Sequence, residues 1–296
     1  MIVTPALSPA STYADALERV RAIQARDDDR VAPNARTALL THGERRPWSI
    51  VLFHGLTNHP GQFVELAPKL AALGVNVLAP RMPYHGYRDR LTADIAKLTA
   101  EELVAASHEA VDVAAGLGER VAVLGISMGG LQCAYLAQTR SDIATSMPIG
   151  PDFGLLQLPH AVTQVIGWLG RHAPNLFLWW DPRVRADQRP RTAYPRFSTH
   201  ALMQTLRISD LVYKASKQAA PQAARVATVV NRTDPAVNNE VTLEIVRQWQ
   251  AMRSRGVEFH ELQGLPMNHD IIDPDNPLAK TEIVYPKLID LLALHS

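Results

Sequence analysis

From Thr37 to the end of the chain, short apolar runs bounded by turn residues alternate with segments of helical spacing, and this alternation restricts the architecture more than any other feature. Strand-like runs cover Thr37–Thr41, Ser49–Phe53, Val75–Ala79, Arg120–Gly125, Ala144–Ile149, Arg225–Val230 and Val257–Leu262. Helical spacing covers Gln62–Leu73, Ala100–Leu117, Met128–Gln138, Glu240–Arg253 and Glu282–Leu292. Such a rhythm predicts βαβ units, and hence an α/β fold with a mainly parallel central sheet and helices on both faces. The run Val121-Ala122-Val123-Leu124 has no polar member, as suits a strand covered on both sides.

The segment from Asp152 to Ala220 breaks the rhythm. It is rich in Pro, Arg and aromatic residues, with helical spacing around Leu155–Leu169 and Ala201–Lys217. Because the strand pattern resumes at Arg225, an insertion over one sheet edge is expected rather than a separate domain. The expected organisation is therefore an N-terminal helix and turn (1–36), a core of 37–151 and 221–296, and a helical cap at 152–220. Tyr13–Ala25 has helical spacing, and Asp27-Asp28-Asp29-Arg30 reads as a solvated turn in preference to a metal site.

Composition excludes several classes. The 296 residues are 47% apolar and 20% charged, which is the balance of a folded protein. Thirty Lys plus Arg face 29 Asp plus Glu, so no charge bias toward nucleic acid exists and a small-molecule partner is expected. The single cysteine, Cys133, permits neither an intrachain disulfide nor a cysteine-based metal cluster; it is expected to be a buried small residue. Residues 1–30 lack the basic and apolar segments of a secretory signal, so a cytoplasmic chain beginning at Met1 is expected. No stretch approaches the ~18 apolar residues of a membrane span. Oligomeric state is left open.

Gly125-Ile126-Ser127-Met128-Gly129 follows a buried-strand run and opens a helical pattern. In that context a Gly-x-Ser-x-Gly turn presents the serine hydroxyl at the carboxyl edge of the sheet. A serine needs a base, and His269, in the turn-rich loop Pro266–Asp270 after the last strand-like run, is the candidate on the same edge. A carboxylate must fix the imidazole; Asp234, beyond the run Arg225–Val230, is placed for it. The neighbouring Asp270 is expected to diverge from the ring. For a developing oxyanion the candidate donors are Met128 N–H, after the nucleophile, and Leu56 N–H, after His54-Gly55.

These segments resemble the α/β-hydrolase superfamily, most of all its bacterial carboxylesterases and monoacylglycerol-lipase-like members. The order Ser, Asp, His is that of such enzymes. The likeness runs from Thr37 to the C-terminus through His54-Gly55, Gly125–Gly129, Asp234 and His269, and includes Pro83-Tyr84-His85-Gly86, similar to the group's Pro-Gly-His-Gly turn with Tyr84 in place of glycine. It implies an α/β-hydrolase fold, a cap at 152–220, no cofactor, and hydrolysis of a small or lipid-like carboxylic ester through an acyl-enzyme on Ser127. The same triad would serve a thioesterase, an amidase or a carbon-carbon bond hydrolase; a non-catalytic binding protein would be expected to have lost a triad member. His54, Gly55, Tyr84, His85, Trp179 and Trp180 are candidate substrate contacts, with Asn58 and His59 at the mouth. The histidines lack metal-ligand spacing, so no metal is expected.

Overall fold

The computed structural model describes residues 2–155, 158–253 and 255–294. In chain order the first elements are α1 (Tyr13–Gln24), β1 (Ala38–Leu40), β2 (Arg46–Phe53), α2 (Leu66–Ala71), β3 (Asn76–Ala79), α3 (Ala100–Leu117), β4 (Gly118–Ile126), α4 (Met128–Thr139) and β5 (Ile143–Ile149). Then follow α5 (His160–His172), β6 (Phe177–Trp179), β7 (Arg196–Ser198), α6 (Thr199–Ser216), β8 (Arg225–Asn231), α7 (Asn239–Met252), β9 (Val257–Leu262) and α8 (Thr281–Leu292).

Seven strands form one sheet in the order β1-β3-β2-β4-β5-β8-β9. All neighbours are parallel except β1, which runs antiparallel to β3. The chain steps outward from β2 to β3 and then returns to the other side of β2 with β4. Strand order therefore reverses between β2 and β4, and in open parallel sheets the crevice beyond the carboxyl ends at such a reversal is where ligands bind. Side chains alternate across the sheet as a period of two demands. Val51 and Phe53 of β2 join α1, α3, α4, α6 and α7 in one apolar cluster, while Ile50 and Leu52 join α2 and α8 in the other. Met128 to Gln138 are buried all round, so α4 runs through the core.

Local signals account for the boundaries. Thr99 and Glu102 close a reciprocal capping box that starts α3 at the expected residue. The expected single helix Gln62–Leu73 is instead a 3-10 turn, Pro60–Phe63, followed by the short α2. Pro68 has no N–H to give to the carbonyl of residue 64, so a helix begun at Gln62 would lose that bond in its interior; restarted at Leu66, it places the proline in the first turn, where no bond is lost.

The N-terminal helix lies on α3 with no room to spare: a Cβ on Gly116 would sit 2.8 Å from Ala16 Cβ. The turn expected to be solvated is only partly so. Asp27 is buried, accepts the Thr37 N–H at 2.7 Å and pairs with Arg81, while Asp28 and Asp29 are exposed. The 152–220 segment leaves the sheet after β5 and returns at β8, two adjacent parallel strands. Its first helix starts at His160, directly after Pro159, rather than at Leu155; residues 156 and 157, which the expected helix included, lie outside the described residues. A small antiparallel pair, β6 with β7, was not legible in the sequence because three residues per strand are too few to show alternation. Among the described residues, no helix is long and apolar enough to cross a membrane.

Candidate active site

At the end of β4 the backbone turns through Ser127 at φ 59 and ψ −119, a conformation that L-residues rarely adopt. The turn is held on all sides. Ser127 N–H donates to Ile149 O at 2.9 Å, and Ser127 O accepts from Leu131 N at 2.8 Å and Asp152 N at 3.2 Å. A Cβ on Gly129 would lie 1.9 Å from Phe53 O, and one on Gly125 would lie 2.4 Å from Gly129 O. The two glycines thus let α4 press against the end of β2. That close approach brings the loop after β2 to the nucleophile candidate: the Cβ position of Gly55 is 3.7 Å from Ser127 Cβ.

His269 and Asp234 meet as expected. Their Nδ1–Oδ2 distance is 2.7 Å, and a carboxylate can only accept, so Nδ1 carries the proton and Nε2 is left as the acceptor. The other carboxylate oxygen, Oδ1, accepts from Ala236 N at 2.8 Å and Val237 N at 3.4 Å, which fixes the plane of the group. Burial disfavours the imidazolium, yet the Asp234 charge and hydrogen bond, joined by the charges of Asp270 and Asp152, outweigh it and raise the His269 pKa. Gly150 lies between the two halves of the site. Its Cβ position is 3.3 Å from Asp234 Oδ2 and 3.6 Å from His269 Cε1, one residue beyond the carbonyl that binds Ser127 N–H. Among the described residues, Ser127 Oγ makes no hydrogen bond, and catalytic hydrogen bonds are often long or poorly aligned where no substrate is bound.

Leu56 and Met128 are both buried, and among the described residues neither N–H is given to a protein acceptor. The histidines nearby do not face a ligand. His54 and His85 are fully buried, with both ring nitrogens of each within hydrogen-bond distance of backbone groups: Gly55 O and Met82 N for His54, Pro83 O and Leu56 O for His85. That bonding corrects the expectation that these two rings contact substrate; they brace the loops instead. Burial holds the pKa of His54 well below the usual value and that of His59 at about 3, and pushes that of His85 down to about 4 against the two carbonyl oxygens its ring nitrogens face, of which a neutral ring can donate to only one at a time. Among the described residues, no group of three or more His, Cys, Asp or Glu is arranged to hold a metal ion. Cys133 is buried.

Asp270 turns away from the neighbouring imidazole, toward the loop after β2. Its Oδ2 accepts from Gln62 Nε2 at 2.9 Å and Asn58 Nδ2 at 3.2 Å. The 152–220 segment touches the same loop: Trp180 Nε1 donates to Thr57 Oγ1 at 3.1 Å, and Tyr194 N donates to Thr57 O at 2.8 Å. Tyr84, at φ 66, donates its hydroxyl to Glu102 at 2.9 Å, and Trp179 pairs with Arg196 across β6 and β7. Asp152, buried, accepts the Thr205 hydroxyl at 2.7 Å and so ties α6 to the turn of Ser127. Gln62, Thr57 and Asp152 escaped sequence reasoning; only Asp152 carried a signal, as the first carboxylate beyond a strand end.

A family model described as the alpha/beta hydrolase family matches residues 50–277. The chain belongs to that family. A curated relative, the thermostable monoacylglycerol lipase of Bacillus sp. (strain H-257), is 26% identical over 167 residues, a stretch that spans 56% of this chain and 64% of that protein. Among solved structures, the monoacylglycerol lipase of Paleococcus ferrophilus matches with a TM-score of 0.64 at 22% identity, over 88% of this chain and 98% of its own. A structure from a study of two metagenome-derived lipolytic enzymes, LipS and LipT, matches with a TM-score of 0.65 at 19% identity, over 90% of this chain and all (100%) of its own.

Proposed function

We propose that the chain hydrolyses carboxylic esters through an acyl-enzyme on Ser127. The observation that carries this reading is the 2.7 Å bond between His269 Nδ1 and Asp234, at the same sheet edge as the strained turn of Ser127. In the proposed reaction, His269 Nε2 takes the hydroxyl proton as Ser127 Oγ attacks the ester carbonyl carbon. The oxyanion is held by Leu56 N–H and Met128 N–H. Collapse expels the alcohol, which receives the proton from imidazolium. Water, deprotonated by His269, then attacks the acyl carbon, and the carboxylic acid leaves as Ser127 regains its proton.

Asp234 stabilises the cation formed at each stage. Two of its features suit this: a side chain almost wholly removed from water, and a second oxygen already engaged by backbone donors. The 152–220 segment is proposed as a cap that supplies the acyl-binding wall, since Trp180 and Tyr194 reach the loop that carries Leu56. The names of the relatives favour lipid-like esters as the substrate class.

The test is kcat/KM for p-nitrophenyl esters of increasing acyl length, beside matched thioesters and anilides. Ester turnover that exceeds the amide rate and vanishes in Ser127→Ala is expected. Ester turnover no greater than that of Ser127→Ala would reject the proposal, and a thioester preference would reassign the leaving group while keeping the triad.

A further inference from the structure

Resting on that assignment of the oxyanion donors, we propose that Gln62 and Asp270 are positioning residues that lock the oxyanion loop to the loop of His269. The loop after β2 is held at the Gly55–Leu56 peptide. Gly55 O is within 3.1 Å of Asn58 N and 2.9 Å of His54 Nδ1. In a trans peptide the N–H points opposite to the carbonyl, so fixing that carbonyl fixes the direction of Leu56 N–H. Gly55 N–H, one bond earlier, is fixed in turn by Gln62 Oε1 at 3.1 Å.

Gln62 is 1% exposed, so its amide is satisfied by protein partners. Its Nε2 reaches Asp270 Oδ2 at 2.9 Å, and Asp270 Oδ1 accepts from Asp273 N at 3.2 Å and Ile272 N at 3.4 Å. With Asn58 Nδ2, four donors surround the two Asp270 oxygens. Only an ionised carboxylate matches four donors and no acceptor; burial acts the other way and raises the Asp270 pKa, and the neighbouring Asp273, buried beside that charge, is raised to about 7. A chain of hydrogen bonds therefore runs from the His54–Gly55 peptide, directly before the peptide that presents Leu56 N–H, through Gln62 to the residue after His269. Buried polar chains of this kind tolerate no single mismatch, because a lone unsatisfied or repelling group costs far more than one satisfied bond contributes.

The chain has a polarity that can be reversed. In Gln62→Glu, two carboxylates face each other across 2.9 Å in place of an amide and a carboxylate. Adding Asp270→Asn restores donor against acceptor: the new amide donates to residue 62, its oxygen still accepts from Ile272 and Asp273, Gly55 N–H keeps an acceptor, and Asn58, whose Nδ2 now reaches Asp270 Oδ2, matches the new amide by turning its own amide over to present Oδ1. Asp270→Asn alone leaves a donor with no matching acceptor. It also removes one of the charges facing His269, the others being Asp234 and Asp152.

The experiment is steady-state kinetics of the three variants on p-nitrophenyl butyrate against pH, with thermal unfolding and fluorophosphonate labelling of Ser127. Gln62→Glu is expected to lose on the order of 10²-fold in kcat, the scale of one misaligned oxyanion donor, with KM changed less than about twofold. Asp270→Asn should lose about tenfold in kcat, and its acid limb should move to lower pH because a charge favouring the imidazolium is gone. The double variant should regain most of the activity that Gln62→Glu loses. Losses that simply add in the double variant, or a lowered Tm with kcat and acid limb unchanged, would overturn the relay and leave the pair as packing. Should the double variant not fold, the acid limb and kcat of Asp270→Asn decide alone. A wild-type chain that neither turns over esters nor labels would instead remove the functional reading beneath the relay, and the relay with it.

Discussion

The sheet edge and the 152–220 segment lie against each other but are built to different tolerances. At the edge, the turn of Ser127 has no space for a single added methyl group at Gly129, and Asp234, His269, Gln62 and Asp270 are each held by named polar partners. In the segment over it, Val165 (59%), Trp168 (56%) and Leu169 (55%) of α5 remain exposed, and the β6 and β7 strands are three residues each. The difference teaches where each property of the molecule resides. Under the proposed function, groups that must meet a reacting carbonyl within tenths of an ångström are overdetermined by the core, and those proposed to select among acyl chains sit on a structure with slack, where substitution changes shape without unfolding the sheet.

Two glycines break or sharpen that contrast most strongly. Gly129→Ala would drive a Cβ to 1.9 Å from Phe53 O, backbone that cannot move without opening β2 from α4. We expect a loss on the order of 4 kcal/mol or more, or failure to fold, read by urea unfolding. Gly170→Ala, in α5, meets the Met203 Sδ at 2.7 Å, a flexible side chain that can rotate away. There the better helix propensity of alanine offsets the contact, and the change should stay within about 1 kcal/mol. Equal costs at the two sites would erase the contrast.

Next in size is Asp234→Asn. The amide keeps the shape but favours the wrong imidazole tautomer, so kcat should fall on the order of 10²- to 10⁴-fold with little change in KM. The same variant should also lower the pH of the acid limb, because the intact carboxylate is what holds the His269 pKa above its ordinary value of ~6.5 and the base works only when neutral. A larger kcat loss in Asp270→Asn than in Asp234→Asn would exchange their roles.

The smallest effect belongs to the segment. Trp180→Ala removes the indole that donates to Thr57 and packs on Phe197 at 4.4 Å between ring centroids. It is expected to shift the ratio of long-chain to acetate hydrolysis by about threefold to tenfold, at most the lower end of what one methylene contact contributes. Uniform loss on every chain length would point to a disturbed Thr57 loop instead of a substrate wall.

The sequence was legible where local rules and tertiary demands agree. The span of α3 matched to the residue because a capping box starts it and a strand entered at Gly118 ends it, and β9 matched because it is bounded by turns. The candidate site was legible as a placement, since a serine turn, a late loop histidine and an intervening carboxylate each sit after a strand. What stayed hidden was set by contacts distant in the chain. Nothing local to Gln62 says that its amide leaves a helix-like pattern to bond Gly55 and Asp270, the latter 208 residues away. Likewise, the full burial of His54 and His85 follows from the meeting of two loops, and a histidine near a proposed mouth reads the same in sequence whether it faces a ligand or a carbonyl.

The most direct test of the account is where a covalent acyl-enzyme mimic forms. Incubation with a fluorophosphonate, followed by intact-mass and peptide mass spectrometry, is expected to show one adduct per chain on Ser127, lost in Ser127→Ala and slowed in Asp234→Asn. An adduct on a different serine, or undiminished labelling of Ser127→Ala, would contradict the assignment of the nucleophile and with it the site described around the turn after β4.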